Sequence, residues 1–160
     1  MIVGHGSIAS MLNDREGVLF FAAGVSDSSC TDTQEYLREW HLLWNTIRQD
    51  MMVVYFSTIS TFQKATAYTG HKIAVEVYIR KYIENYTIIR LGNIYGDTNK
   101  HTFQNAIKAK REAGEPVEIR DEWKYMISKE QLLFVTDNLP LKGKHEISIF
   151  GEMKKVRDLI

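Results

Sequence analysis

The stretch AYTGHKIAVEVYIRKYIENYTIIRLGNIYG, Ala67 to Gly96, decides how the chain is read. From Tyr68 to Asn85 the apolar residues Ile73, Val75, Val77, Tyr78, Ile79 and Tyr82 recur at helical spacing. The next residues, YTIIRL from Tyr86 to Leu91, form a short continuous apolar run. Such a run fits a strand covered on both faces, as in a parallel sheet. A helix leading directly into a buried strand predicts α/β architecture.

The same alternation extends in both directions. Upstream, VLFFAA (Val18–Ala23) and MMVVYF (Met51–Phe56) are two more buried-strand patterns, and Met1–Val3 is a very short one. Asp32 to Asp50 is the clearest helix. Thr31 and Asp32 suit its N-cap, and Tyr36, Leu37, Trp40, Leu43, Trp44 and Ile47 fall on one stripe. Ser7 to Asn13 reads as the first turns of another helix. Downstream, a helix over Thr102–Ala113 stops at Gly114. A strand at Val117–Ile119, a helix near Lys129–Thr136 and a strand at Glu146–Phe150 complete the chain. The fold class is α/β, with a mostly parallel sheet, in a single domain of 160 residues.

Composition narrows the function. Lys+Arg and Asp+Glu balance at 20 each, with no basic run, which argues against nucleic acid or an anionic membrane as a main partner. No apolar run approaches membrane-spanning length. The N-terminus lacks a basic region and a long apolar run, so no signal peptide is expected. The single Cys30 can form no internal disulfide and suits a reducing, cytoplasmic setting. His5, His41, His71, His101 and His145 are scattered without zinc-ligand spacing, so no metal is expected.

Four segments could carry chemistry. Gly4-His5-Gly6-Ser7-Ile8-Ala9 is a G-x-G-x-x-A turn between a strand and a helix, suited either to a pyrophosphate or to an ordinary tight turn. Ala22, Ala23 and Gly24 are small residues past a strand end, leaving room for a flat ligand or for close helix packing. Ser57, Thr58 and Ser60 put hydroxyls at a carboxyl strand end, where they could meet a ligand or cap a turn. Tyr68 and Lys72, at i and i+4, share a helix face. A nearby ammonium is expected to lower the phenol's pKa from about 10 and make it a usable general acid or base.

Taken in order, with Arg90-Leu91-Gly92-Asn93-Ile94-Tyr95-Gly96 following, these segments resemble the extended short-chain dehydrogenase/reductase family, the NAD-dependent sugar-nucleotide epimerases, dehydratases and reductases. The resemblance spans roughly Ile2 to Leu132 and is strongest from Val53 to Gly96. YFSTISTF looks like that family's Ser-Thr strand end, YTGHKIAVE like its catalytic helix and IIRLGNIYG like its Arg-x-x-Asn-x-Tyr-Gly segment. EWKYMISKEQLL, Glu122–Leu133, looks like a decayed form of its later arginine and acidic-pair segment, with Lys124 in the arginine's place.

The resemblance implies an abbreviated Rossmann-like sheet, with residues 1–96 as a reduced dinucleotide-binding core and 97–160 as a small substrate-side portion containing the returning strand near 146–150. It implies catalytic roles for Thr58, Tyr68 and Lys72. Tyr68 would be the general acid/base, Lys72 would hold the nicotinamide ribose, and Thr58 would bond the reacting hydroxyl or carbonyl, with Ser57 or Ser60 as fallback. The cofactor, NAD or NADP, would lie along Gly4, Gly6, Ser7, Ile8, Ala9, Ala22, Ala23, Gly24, Ser57, Gly92, Asn93 and Ile94. Ser60, Asn93 and Lys124 would face a nucleotide-sugar substrate of surface-polysaccharide synthesis. Pairing of subunits through helices 32–50 and 68–85 would give a homodimer, for which Trp40 and Trp44 supply aromatic surface.

The chain also departs from that family. After the first helix it passes almost directly to VLFFAAG, where a full nucleotide-binding half would insert a strand, a helix and a strand, on the order of 40 residues. Asp14, Arg15 and Glu16 stand in this gap, and nothing there distinguishes NAD from NADP. Asp97 follows Gly96 in place of the usual proline. A non-catalytic dinucleotide-binding or interaction module is therefore a second reading, and a purely structural dimer a third.

Overall fold

The computed structural model describes residues 1–96, 102–119 and 121–159; Asp97 and His101 lie outside them. Five parallel strands form the central sheet in the order β1 (Ile2–Val3), β2 (Val18–Phe21), β3 (Met52–Thr58), β4 (Tyr86–Leu91) and β7 (Lys144–Ile149). Helices cover both faces. One core cluster joins Phe20, Val54 and Ile89 to α1 (Ser7–Met11) and α5 (Lys129–Asp137) through Ile8, Met11, Leu132 and Val135. The other joins Phe21, Val53, Tyr55 and Ile88 to α2 (Thr33–Thr46) and α3 (Ala67–Tyr82) through Leu43, Val75 and Ile79. All four residues of β2 are buried, as the continuous apolar run predicts. The fold is α/β and Rossmann-like.

The strands follow one another across the sheet without reversal, and among the described residues β1 pairs only with β2. A doubly wound sheet reverses direction at its first strand, creating the crevice in which a dinucleotide lies. Here Leu12–Gly17 join α1 directly to β2. Arg15 donates to the carbonyls of Leu139 at 2.7 Å and Thr136 at 3.5 Å, and Asn13 to Asp137 at 3.0 Å. This connection lies at the amino ends of the strands, bound to the end of α5. Asp14, Arg15 and Glu16 are thus on the side opposite the strand carboxyl ends and cannot read a ribose there.

A second sheet contains β5 (Asn93–Ile94), β6 (Trp123–Ile127) and β8 (Glu152–Lys155), with β5 parallel and β8 antiparallel to β6. The helix expected at Thr102–Ala113 is α4 (Phe103–Glu112), but the strand expected at Val117–Ile119 is absent; those residues have no regular structure, and the strand begins at Trp123. Val-Glu-Ile is too short to specify pairing, whereas Met126 and Ile127 are fully buried and Ile127 joins the main core.

The expected stripe on α2 is also turned. Only Glu39 and Leu43 are buried on this helix, while Leu37 and Trp44 are exposed. α2 ends at Thr46 because Ile47, at ψ 132°, leaves the helical region, and α3 ends at Tyr82 because Ile83 is extended.

One ionic network ties α3 to the sheet. Arg90 of β4 donates to both oxygens of Glu76, at 3.0 and 2.5 Å, and to Glu146 of β7 at 2.8 Å. Arg80 bridges Glu76 at 2.9 Å and Glu146 at 2.7 Å. Hydrogen bonds from Arg80 and, more weakly, Arg90 hold the Glu146 carboxyl down at about 2, against the opposing effect of its partial burial. A depressed folded-state pKa stabilises above the unfolded value, about 4.3, and that contribution disappears as the pH falls toward 2. In Glu146→Gln, acid unfolding followed by circular dichroism is expected to depend less on pH across this window than in the wild type.

Candidate functional site

The carboxyl ends of β2 and β3 bring the sequence candidates together with one residue that was not among them. Thr58 ends β3 and caps the following 3-10 turn, Ile59–Phe62, its Oγ1 accepting from the Ser60 amide at 3.1 Å. α3 starts at a reciprocal cap between Thr66 and Thr69, which sets Tyr68 in its first turn. Tyr68 is buried with its phenol within the influence of the Thr58 hydroxyl, and the Lys72 ammonium stands 5.7 Å from the ring centroid. Tyr68, Thr58 and Lys72 therefore share one location.

The unexpected residue is Glu39 of α2, which is 0 % exposed. Its carboxylate accepts from the Val25 amide at 2.7 Å, the Tyr55 hydroxyl at 2.8 Å and Lys72 Nζ at 3.3 and 3.4 Å. His71 Nε2 lies 3.0 Å from it, yet makes no hydrogen bond among the described residues. Burial alone would raise the Glu39 pKa; the adjacent Lys72, His71 and Val25 amide outweigh it and hold the carboxyl well below its usual range.

This pairing changes the expected electrostatics. Lys72 does not bring Tyr68 below its ordinary pKa. Burial first, then the negative charge of Glu39, hold the phenol well above its ordinary pKa, despite the opposing Thr58 hydrogen bond. The Lys72 pKa is lowered by burial, with Glu39 opposing. The Lys72 ammonium is paired with the Glu39 carboxylate, whose opposite charge acts on the same phenol.

Gly24 makes room for the pair, since a Cβ there would lie 2.6 Å from Lys72 Nζ and 2.9 Å from Glu39 Oε1. Beside Gly24 a cleft of about 220 Å³ is lined by Val25, Asp27, Cys30, Glu35 and Arg38. That is below the volume of about 300–1,000 Å³ typical of small-molecule sites.

The remaining candidates are dispersed. Gly4, at φ +120°, brings the end of β1 against the carbonyl of Ala22. Gly6 precedes α1, Ser7 lends its carbonyl to Ser10, and Ile8 and Ala9 turn toward the core. Ala22 and Ala23 pack on opposite faces of the sheet. Gly92 faces the backbone of the second sheet, a Cβ there falling 2.8 Å from the Tyr125 carbonyl. Asn93 is exposed and donates to that carbonyl at 3.2 Å, while Ile94 is core. Lys124 pairs with Glu122 at 3.0 Å. Ser60 is half-buried at the 3-10 turn.

The nicotinamide half of a dinucleotide finds some fitting groups. Ser57 Oγ is buried at the end of β3 without a hydrogen-bond partner among the described residues, and Lys72, with three N–H donors, makes two hydrogen bonds among those residues, both to Glu39. The adenosine half finds none, because no strand lies beyond β1 among the described residues. Nor do the described residues contain a cluster of three or more His, Cys, Asp or Glu able to hold a metal. No helix among them is long and apolar enough to cross a membrane.

No protein-family model matches the chain, and no curated protein matches its sequence. Solved structures do match. The Bordetella bronchiseptica enzyme WbmH in complex with NAD+ superposes with a TM-score of 0.68 at 14% identity, over 89% of this chain and 55% of that one. A UDP-galactose 4-epimerase gives 0.68 at 16%, over 90% and 60%. The UDP-N-acetylglucosamine 4-epimerase of Methanobrevibacter ruminantium M1, in complex with UDP-N-acetylmuramic acid, gives 0.59 at 12%, over 89% and 57%. At these identities the likeness establishes the fold. The chain spans little more than half the length of these enzymes.

Proposed function

We propose that this chain takes part in nicotinamide-dependent oxidation or reduction at a sugar carbon of a nucleotide-activated sugar, within an epimerase, dehydratase or reductase cycle. The observation that supports this best is the buried Tyr68 phenol beside the Thr58 hydroxyl at the carboxyl end of β3. Sugar-nucleotide 4-epimerases among the structural neighbours support the substrate class. A cytoplasmic role in polysaccharide synthesis belongs to the same proposal.

In this reading Ser57 and Lys72 hold the ribose on the nicotinamide side, and Gly24 lets it approach. The bound cofactor supplies hydride transfer. Thr58 orients the reacting sugar hydroxyl toward Tyr68. Tyr68, a neutral phenol at pH 7, gives a proton to the developing alkoxide during reduction and recovers one during oxidation. Ser60, Asn93 and Lys124 orient the rest of the substrate.

Titration of the protein with NADH and NADPH, by fluorescence and calorimetry, tests the proposal; saturable binding of either supports it, and none at millimolar concentration rejects it. Because the adenosine half has no seat, reduced nicotinamide mononucleotide is expected to bind within about threefold of NADH, about 0.7 kcal/mol. An advantage of tenfold or more for NADH would show that adenosine is held.

A non-catalytic module is the second reading, favoured by the one-sided sheet and the engagement of Lys72 by Glu39. Either form would pair through α2 and α3, whose outer faces expose Leu37, Trp44, Ile73, Val77 and Tyr82. Sedimentation is expected to give a dimer for the wild type and a monomer for Trp44→Glu.

A further inference from the structure

We propose that Glu39 is the positioning residue for Lys72, an internal carboxylate that engages the ammonium and assembles the Tyr68–Lys72 pair before any nucleotide binds. The inference rests on the reading of Tyr68 as the acid/base group, but its central measurement does not.

Glu39 is the only carboxylate forming an ion pair with Lys72 among the described residues, and both side chains are almost fully buried. A buried carboxylate persists in charged form only when its oxygens are satisfied. Those of Glu39 are satisfied from three directions: the loop after β2 through the Val25 amide, β3 through Tyr55, and α3 through Lys72. Tyr55 is itself fully buried, and this bond fixes its hydroxyl. The carboxylate therefore sits at a junction of β2, β3 and α3, each of which supplies part of the candidate site. Gly24 completes the arrangement, because any side chain there would collide with both charged groups.

The titratable and charged groups facing the pair are few. Arg38 and Tyr36 come from α2, Asp27 from the loop after β2, Tyr55 from β3, and Tyr68, His71 and Glu76 from α3. Arg38 is occupied by Glu35 at 2.9 Å, and Glu76 by Arg90 and Arg80. None of them is placed to replace Glu39 as the partner of Lys72.

The family resemblance gives the ammonium to a ribose. In this chain the ammonium already has a carboxylate at 3.3 Å, so its orientation does not depend on a ligand. Loss of the Glu39 charge should therefore alter the lysine far more than nucleotide affinity.

The test uses the 160-residue chain carrying isotope-labelled lysine, with the Lys72 amine titrated by NMR in the absence of nucleotide. In Glu39→Gln the amine keeps its burial but loses its counter-charge, and its titration is expected to move down by at least one pH unit. Glu39→Asp should restore most of that shift, which a purely space-filling role would not. NADH affinity, measured on the same proteins, is expected to change less than threefold. An unmoved Lys72 titration in Glu39→Gln overturns the proposal, and a tenfold loss of NADH affinity with the lysine unmoved does so too, since the carboxylate would then serve the nucleotide directly. If Glu39→Gln does not fold, recovery of folding in Glu39→Gln/Lys72→Met supports the pairing, and failure of the double variant overturns it. Wild-type protein that binds no NADH would reject the proposed function while leaving the lysine titration to decide the role of Glu39.

Discussion

Glu76→Ala is expected to destabilise the fold by about 3 kcal/mol, near the lower end of the cost of breaking a buried ion pair. Glu76 and Arg90 are both buried, and the guanidinium meets the carboxylate through two parallel N–H···O bonds of 3.0 and 2.5 Å. Arginine cannot shed its charge on burial, so removing Glu76 leaves a cation under α3. Glu146 still accepts from it at 2.8 Å, which limits the loss. The ring of Phe62, 5.2 Å from the guanidinium, gives it a further favourable contact. Glu76 stands one helical turn beyond Lys72, so the same pair fixes α3 against β4 and keeps Tyr68 beside Thr58. Urea denaturation of the single variants and of Glu76→Leu/Arg90→Met measures the effect. The apolar double variant should recover much of the loss, because the pair's attraction is largely offset by its desolvation. A Glu76→Ala variant as stable as the wild type would mean that Glu146 alone suffices for Arg90.

The central sheet was legible because β2, β3 and β4 are covered on both faces and so leave uninterrupted apolar runs. The position of Tyr68 and Lys72 on one helix face was legible from their spacing. Their electrostatic surroundings were not, because the deciding residue is 33 positions from Lys72 and belongs to another helix. Glu39 gave one local signal: it shares a face with Tyr36 and Leu43, where a charge interrupts an otherwise apolar stripe. In isolation such a residue reads as solvent-facing, and only the packing of α2 over β2 and β3 buries it. The same rotation turned Leu37 and Trp44 outward. β6 and β8 escaped for a different reason. They carry WKYMI and EMKK, mixed charged and apolar residues, and antiparallel pairing between distant segments leaves no contiguous apolar run. The one-sided sheet, by contrast, was visible as a short connection between α1 and β2, too short for further strands, and the unreversed strand order is its structural consequence.

Tyr68→Phe is expected to lower turnover of a nucleotide sugar by about 10³-fold, within the range for loss of a general acid or base, while the fold survives. The substitution keeps the ring and its packing and removes one hydroxyl, at a cost of about 1 kcal/mol in stability. Nucleotide affinity should hold, so the loss should fall on kcat and leave KM nearly unchanged. The pH dependence gives a second check. Burial and Glu39 keep the phenol protonated well above its usual range, so the proton-donating direction should be flat with pH from 6 to about 10. The proton-accepting direction, which needs the phenolate, should rise about tenfold per pH unit across the same interval. Removing the positive charge in Lys72→Met leaves Glu39 unopposed and should push the phenol higher still, depressing the accepting direction further. Steady-state rates in both directions, measured against pH for the wild type and both variants, decide the matter. Full turnover in Tyr68→Phe would show that the proton passes through another group, and the buried phenol would then serve only to seat α3 against Thr58.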